Sequence, residues 1–402
     1  MRVLVLDGNQ NQAVASVRSL ARQGHTVLVG ESSSWSKAGW SRHCHGRFQY
    51  PAPQKEADAF IRCLTQMVRD EPGTLVLPMT EATTLPISEQ RDALRAAGAR
   101  LVLPAHRDLL RACNKEETTR LACSLGINVP VTVTVRDDTE AAQAAKSVAY
   151  PVVLKPRSSE ELSGKSVKTA GRPRYASNAA EFDAAYRDIR QRSSAVLVQQ
   201  FVDGDGAGYF ALLCQGELRA EFAHRRIRDV YPTGSGSALR ESVKPDPEIR
   251  QAGLAMLRSL NWHGAAMVEF RHQPGQPPVL MEVNGRLWHS LALACYAGVD
   301  FPALLAAMAE RGDVEPVSSY REGLRSRWLL GDFRHLIEVW KGAPDGYPRP
   351  YPGKLKTLLA EMIPAPGTLH DNFQLADPLP EAGDWIGFAE RLWNWPEIGN
   401  RC

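Results

Sequence analysis

The sequence predicts a mixed α/β and α+β protein of several domains, opening on a doubly wound unit with a parallel sheet. Three observations predict it. Residues 3–6 form an apolar run, 8–12 a turn, 13–23 a helical pattern and 24–30 a second apolar run, which together read as βαβ. Much further on, residues 265–270 and 279–286 are apolar runs separated by the turn-rich segment 271–278, which reads as an antiparallel hairpin. Finally, 402 residues with 44% hydrophobic and 23% charged side chains is ordinary globular usage, enough for two to four domains with sizeable cores.

The N-terminal unit continues with strands expected at 74–77 and 100–103, separated by a helix around 88–97, and it ends near residue 111. Its first turn carries Gly8 alone instead of G-x-G-x-x-G, which argues against a nicotinamide-dependent reductase. Thr80 and Glu81 follow the strand at 74–77 at its carboxyl end, where open α/β sheets place ligands; capping of the next helix is the alternative role. A second unit is expected over 112–312, in two parts of about 112–199 and 200–312, followed by an extension over 313–402. Within it, residues 247–260 read as an amphipathic helix and His263 as a structural residue at a turn. An alanine-rich helix follows residue 286, and another starts near Phe301 with Pro302 in its first turn. The extension carries Trp328, Trp340 and the proline-rich stretch 344–352. It reads as irregular wrapping, with Trp385, Trp393 and Trp395 as docking anchors on the enzyme body or on a partner, a second copy of the chain included.

Charge and cysteine usage exclude several classes. A net charge of +3, with basic residues dispersed, is too small to argue for nucleic acid or an anionic membrane. No stretch approaches eighteen apolar residues, and the first apolar run is too short for a signal peptide. Seven cysteines without a C-x-x-C pair fit free thiols in a reducing cytoplasm. In His43-Cys44-His45 the neighbours cannot easily converge on one ion, so no zinc is assigned.

The chemistry concentrates in the hairpin. Two-residue spacing aims Glu282, Asn284 and Arg286 at one face of a strand. Antiparallel pairing brings Glu269, thirteen residues upstream of Glu282, beside Glu282 and Asn284. Two carboxylates and an amide oxygen are hard ligands suited to Mg²⁺, with Mn²⁺ as an alternative. Upstream, Asn114 and Lys115 open a helical pattern that runs to the Ser124–Pro130 stretch, and Lys155 ends a short buried strand before Pro156. A β-rich run at 195–202 precedes Asp203-Gly-Asp-Gly-Ala-Gly208. Arg225, Arg226, Arg228 and Arg240 cluster around an expected flexible turn at 234–237, where their planar forks suit carboxylate and phosphate.

In this order, these motifs resemble the ATP-grasp superfamily, which includes D-alanine:D-alanine ligase, biotin carboxylase and carbamoyl phosphate synthetase. The resemblance covers about 112–312 and implies a two-lobed ATP-grasp domain behind a Rossmann-like N-terminal unit. It implies ATP and Mg²⁺ as cofactors, with Glu269, Glu282 and Asn284 as metal ligands and Lys115 and Lys155 on the nucleotide. The backbone at Gln200, Phe201 and Val202 would meet the adenine edge, and Asp203 or Asp205 the ribose. The family commonly has glutamate at this hinge where Gln199 and Gln200 stand here, and a glycine-rich flap where residues 157–165 have only Gly164, with Glu160 and Glu161 beside Lys165. A mobile lid is expected there.

The activity implied is ligation. A substrate carboxylate is activated by ATP as an acyl phosphate and captured by an amine, with Arg286 and Arg240 stabilising charge on oxygen. The partners implied are small-molecule acids and amines. An ATP-binding regulatory module that ligates nothing is the competing class, made conceivable by the glycine-poor flap.

Overall fold

The computed structural model describes residues 1–163, 166–169, 171–362 and 366–393. The N-terminal sheet is parallel, in the order Gly46–Gln49, Thr26–Glu31, Arg2–Val5, Leu75–Leu77. Its inner strands are buried on both faces, with Val3, Leu4, Val5, Val27 and Val29 essentially inaccessible, as helix-covered parallel strands require. The expected strand at 100–103 reduces to a single bridge between Arg100 and Leu75. The strand Gly46–Gln49 and the helix Pro53–Asp70 are not among the expected elements, although Ala57, Phe60, Leu64 and Val68 recur at helical spacing and form the buried face of that helix.

Asp7 fixes the carboxyl edge of this sheet. It adopts a left-handed φ of 53°, tolerated by aspartate. Its buried carboxylate accepts from the backbone N–H groups of Met79 and Thr80 and from Thr83 Oγ1. Asp7 thus ties the chain leading into the helix Glu81–Glu89 to the sheet edge, while Thr80 sits at the helix N-cap without capping through its own side chain.

The next lobe is an antiparallel sheet ordered Thr132–Val135, Val196–Gln200, Val152–Pro156, Arg174–Ala176, backed by the helices Asp138–Ser147 and Ala179–Arg190. Val152, Leu154, Phe182, Ile189, Val196 and Val198 make its core. The segment expected as a lid is a two-stranded hairpin, Glu160–Ser163 with Ser166–Thr169. Gly164 and Lys165 lie outside the described residues.

The central lobe is a seven-stranded sheet ordered Val279–Asn284, Gly264–His272, Asp205–Cys214, Glu217–Tyr231, Ser235–Val243, Arg325–Arg327, Leu369–His370. Two expectations are corrected here. The arginine-rich segment is not a flexible loop but a long hairpin in this sheet, its register shifting on either side of Arg228. The C-terminal extension is not irregular wrapping: it supplies the last two strands and the helices Leu329–Lys341, Lys354–Met362 and Leu379–Trp393. Of the expected anchors, Trp385 packs 5.3 Å from Phe333 within the extension itself. Trp395 and the side chain of Trp393 lie outside the described residues.

Buried ion pairs dock the extension. Arg18 meets Asp377 at 2.8 Å and Lys37 meets Asp384 at 2.8 Å, while Arg240 pairs with Asp371 where neither side chain is solvent-accessible. Asp371→Ala would strand the Arg240 guanidinium in the interior. We expect it to lower unfolding free energy by about 3–5 kcal/mol, measured by urea melts. A loss under about 1 kcal/mol, the worth of a surface pair, would contradict this reading of the pair.

Candidate active site

The hairpin pairs as its sequence requires, with one irregularity. Glu269 lies directly opposite Glu282, and Met267 opposite Asn284, so the two carboxylates share a face. The register slips after Glu269, where Phe270 pairs with Leu280, so Met281 is the extra residue of a bulge. Met281 and Glu282 both line a cleft of about 300 Å³, together with Lys115, Lys155, Phe201, Val202, Glu269 and Arg271. Lys155 arrives from the other lobe, on the strand Val152–Pro156. Lys115 is the first residue of a helix whose N-cap, Asn114, accepts from the N–H groups of Glu116 and Glu117.

The Glu282 carboxylate is kept ionised by cations of the chain. Glu282 Oε1 accepts from Asn284 Nδ2 at 3.0 Å, and Lys115 Nζ stands 3.8 Å from Oε2. Burial alone would push the Glu282 carboxyl up. Lys115, the Asn284 amide, Lys155 and Arg286 outweigh it and hold the group below the usual carboxylate range. Burial is also the main force on Lys155, whose ammonium is pushed down to about 8, Lys115 adding to the shift and Glu282 opposing it.

Glu269 is met by Arg226, 3.0 Å away and almost fully buried. The contact depends on a glycine: a Cβ at Gly206 would lie 2.6 Å from Arg226 Nη1 and 3.0 Å from its Cζ, so the guanidinium crosses the intervening strand only because residue 206 has no side chain. Arg226 also faces Asp229 at 3.7 Å. Burial pushes the Asp229 carboxyl up, opposed first by Arg226 and then by Arg271.

Arg286 donates to Asn284 Oδ1 at 3.3 Å and stands 4.0 Å from Glu81 of the N-terminal unit. Lys115, Lys155 and Arg271 line the cleft with Glu269 and Glu282, while Arg226 and Asp229 stand behind Glu269, and Arg286 beside Asn284 and Glu81, outside its lining. Such a surface suits a polyanion, and more so once a divalent cation joins it. Glu269, Glu282 and Asn284 Oδ1 are hard oxygens on two paired strands, a donor set that fits Mg²⁺.

Three expected residues are placed differently. Arg240 is fully buried against Asp371 and does not line this cleft, so it is withdrawn as a charge-stabilising residue. Asp205 pairs with His272, one residue out of phase with Arg271 and Glu269, which puts it on the opposite face; Asp203 is bonded to Arg349 at 2.8 Å. Neither aspartate lines the cleft. At the hinge, the Gln200 and Phe201 N–H groups donate to Val131 O and Pro151 O, whereas Val202 N–H has no partner among the described residues. Arg226, Arg271 and Asp229 are the site residues that sequence reasoning missed or assigned to a loop. Gly206, the strand glycine that Arg226 crosses, reads in the sequence as a loop glycine and gives no signal of it.

Two family models match the chain. One, ATP-grasp in the biosynthetic pathway with Ter operon, matches residues 194–331, and the other, ATP-grasp domain, matches 104–206. The chain belongs to the ATP-grasp superfamily through residues 104–331. Several solved structures are also similar. The biotin carboxylase domain of 2-oxoglutarate carboxylase from Hydrogenobacter thermophilus, solved with MgADP, ADP and bicarbonate, superposes with a TM-score of 0.63. It is 14% identical, over 81% of this chain and 73% of that one. N5-carboxyaminoimidazole synthetase from Staphylococcus aureus gives 0.60 at 13% identity, over 81% and 80%. L-amino acid ligase from Bacillus licheniformis gives 0.58 at 18% identity, over 78% and 75%. At such identities the likeness speaks for the ATP-grasp fold. None of the curated proteins compared with this sequence matches it.

Proposed function

We propose that this protein is an ATP-dependent carboxylate–amine ligase that uses Mg²⁺. The observation that carries the reading is the convergence of Lys155, Lys115, Glu269 and Glu282, from both lobes, on one cleft. The ligases among the similar structures support the class, and the MgADP in the Hydrogenobacter domain supports the choice of nucleotide.

Val202 N–H, without a partner among the described residues, would donate to an adenine ring nitrogen at the hinge. Lys155 and Lys115 then face the phosphates, with Arg226 positioned behind Glu269. A Mg²⁺ ion held by Glu269, Glu282 and Asn284 would neutralise phosphate oxygens. A carboxylate oxygen of the acid substrate attacks the γ-phosphorus, the bond to the bridging ADP oxygen breaks, and an acyl phosphate and ADP result. The amine nitrogen next attacks the acyl carbon, the carbon–oxygen bond to phosphate breaks, and the nitrogen sheds its proton as phosphate leaves. Arg286, held between Asn284 and Glu81, is the group of this chain best placed to take up charge on the acyl oxygen. No side-chain nucleophile is needed.

The test is an ADP-release screen over amino acids, dipeptides and sugar acids, each with and without an amine. The proposal expects release that depends on an acid and rises with an amine. Nucleotide binding without acid-dependent release from any of them would instead favour a regulatory ATP-grasp module.

A further inference from the structure

The C-terminal extension packs behind two walls of the cleft, Tyr175 and Phe201. The proline-rich stretch 344–352, outside both matched segments, runs along the seam between the two lobes. Gly346, at a left-handed φ of 71°, lies so close to the lobe carrying Lys155 that a Cβ there would sit 2.8 Å from the Tyr175 backbone. Tyr347 next to it packs edge-on against Tyr175, 5.0 Å between ring centroids, and against Phe201, 6.1 Å. Its hydroxyl donates to Pro232 O of the central lobe at 3.3 Å. Arg349 ties the stretch down, meeting Asp203 at 2.8 Å and donating to Gly204 O at 3.3 Å.

Tyr175 and Phe201 are both walls of the cleft, at its hinge end. Tyr175 also lines a second cavity, of about 780 Å³, between its lobe and the extension. Its ring is thus a partition with open space on two sides. Edge-to-face contacts with Phe201 and Tyr347 and a hydrogen bond to the Thr233 side chain hold it, and Tyr347 alone among these partners comes from outside the two lobes.

We propose that Tyr347 is a positioning residue for nucleotide recognition: through Tyr175 and Phe201 it shapes the base end of the cleft and sets the preference for adenine. The inference rests on the nucleotide reading above. A lost aromatic pair is worth up to a factor of about ten in binding.

The experiment compares binding of ADP, GDP and inorganic pyrophosphate, each with Mg²⁺, to the full-length wild type, Tyr347→Ala, Tyr347→Phe and Arg349→Ala by calorimetry. Tyr347→Ala is expected to weaken ADP about tenfold and to narrow the ADP-to-GDP ratio, with pyrophosphate unchanged, because pyrophosphate has no base to recognise. Tyr347→Phe, which keeps the ring, should restore ADP binding to within about twofold. Should Tyr347→Ala fail to fold, Arg349→Ala at the half-exposed tether reads the same effect in the same direction. ADP affinity unchanged in the folded variants, or pyrophosphate weakened as much as ADP, overturns the inference alone. A wild type that binds pyrophosphate but no ADP overturns the adenine-nucleotide reading beneath it as well.

Discussion

Replacing Glu282 by glutamine should lower acid-dependent ADP release on the order of a thousandfold while leaving the fold intact. Glutamine has nearly the same shape, so the strand, its bulge and the contact to Asn284 can persist. What disappears is a negative charge placed opposite Glu269 and within reach of Lys115 and Lys155. A Mg²⁺ ion held there would lose one of its two carboxylate ligands, and Lys115 and Lys155 lose a carboxylate charge beside them. Because the side chain faces a cleft and not a core, thermal unfolding should move little. Release rates in Glu282→Gln close to those of the wild type would remove the hairpin from the chemistry.

Lys155 should impose an alkaline limb on nucleotide use. Burial brings its ammonium down to about 8 from an ordinary 10.5. Since kcat/KM reports the free enzyme, its profile for ATP should be flat below pH 8 and fall about tenfold per unit above it. Lys155→Arg should abolish the limb, because guanidinium stays charged, and Lys155→Met should cost on the order of a hundredfold at neutral pH. Stability should respond with the opposite sign. The folded chain binds this proton less tightly than the unfolded one, so between pH 8 and 10.5 the Lys155 contribution to stability rises with pH while nucleotide affinity falls. A limb that survives in Lys155→Arg would assign it to another group.

Much of this site is readable in the chain because its determinants are local. Glu269, Glu282 and Asn284 converge through hairpin pairing, which alternation and a turn-rich connection specify within about twenty residues. The βαβ opening is legible for the same reason. What escapes is set by distant partners. The run 225–240 reads as a basic, flexible loop by composition. It is a hairpin because Arg226 has Glu269, Arg228 has Asp332 and Arg240 has Asp371 to satisfy it, the last two partners lying a hundred or more residues away. Asp205 reads as a hinge residue beside glycines, but the strand begins at that residue, and one step of register turns it from the cleft. Gly206 reads as a loop glycine, and its purpose is visible only once Arg226 crosses it. The proline-rich stretch reads as a wrap, and nothing near it in sequence announces that Tyr347 meets Tyr175 and Phe201.

The most direct measurement is calorimetric titration of wild type and Glu282→Gln with a non-hydrolysable ATP analogue, with Mg²⁺ and with EDTA. The account predicts saturable one-to-one binding by the wild type with Mg²⁺, weakened at least about tenfold by EDTA and by Glu282→Gln, with the EDTA effect largely gone in the variant. No binding by the wild type, or binding indifferent to both the metal and Glu282, would contradict it.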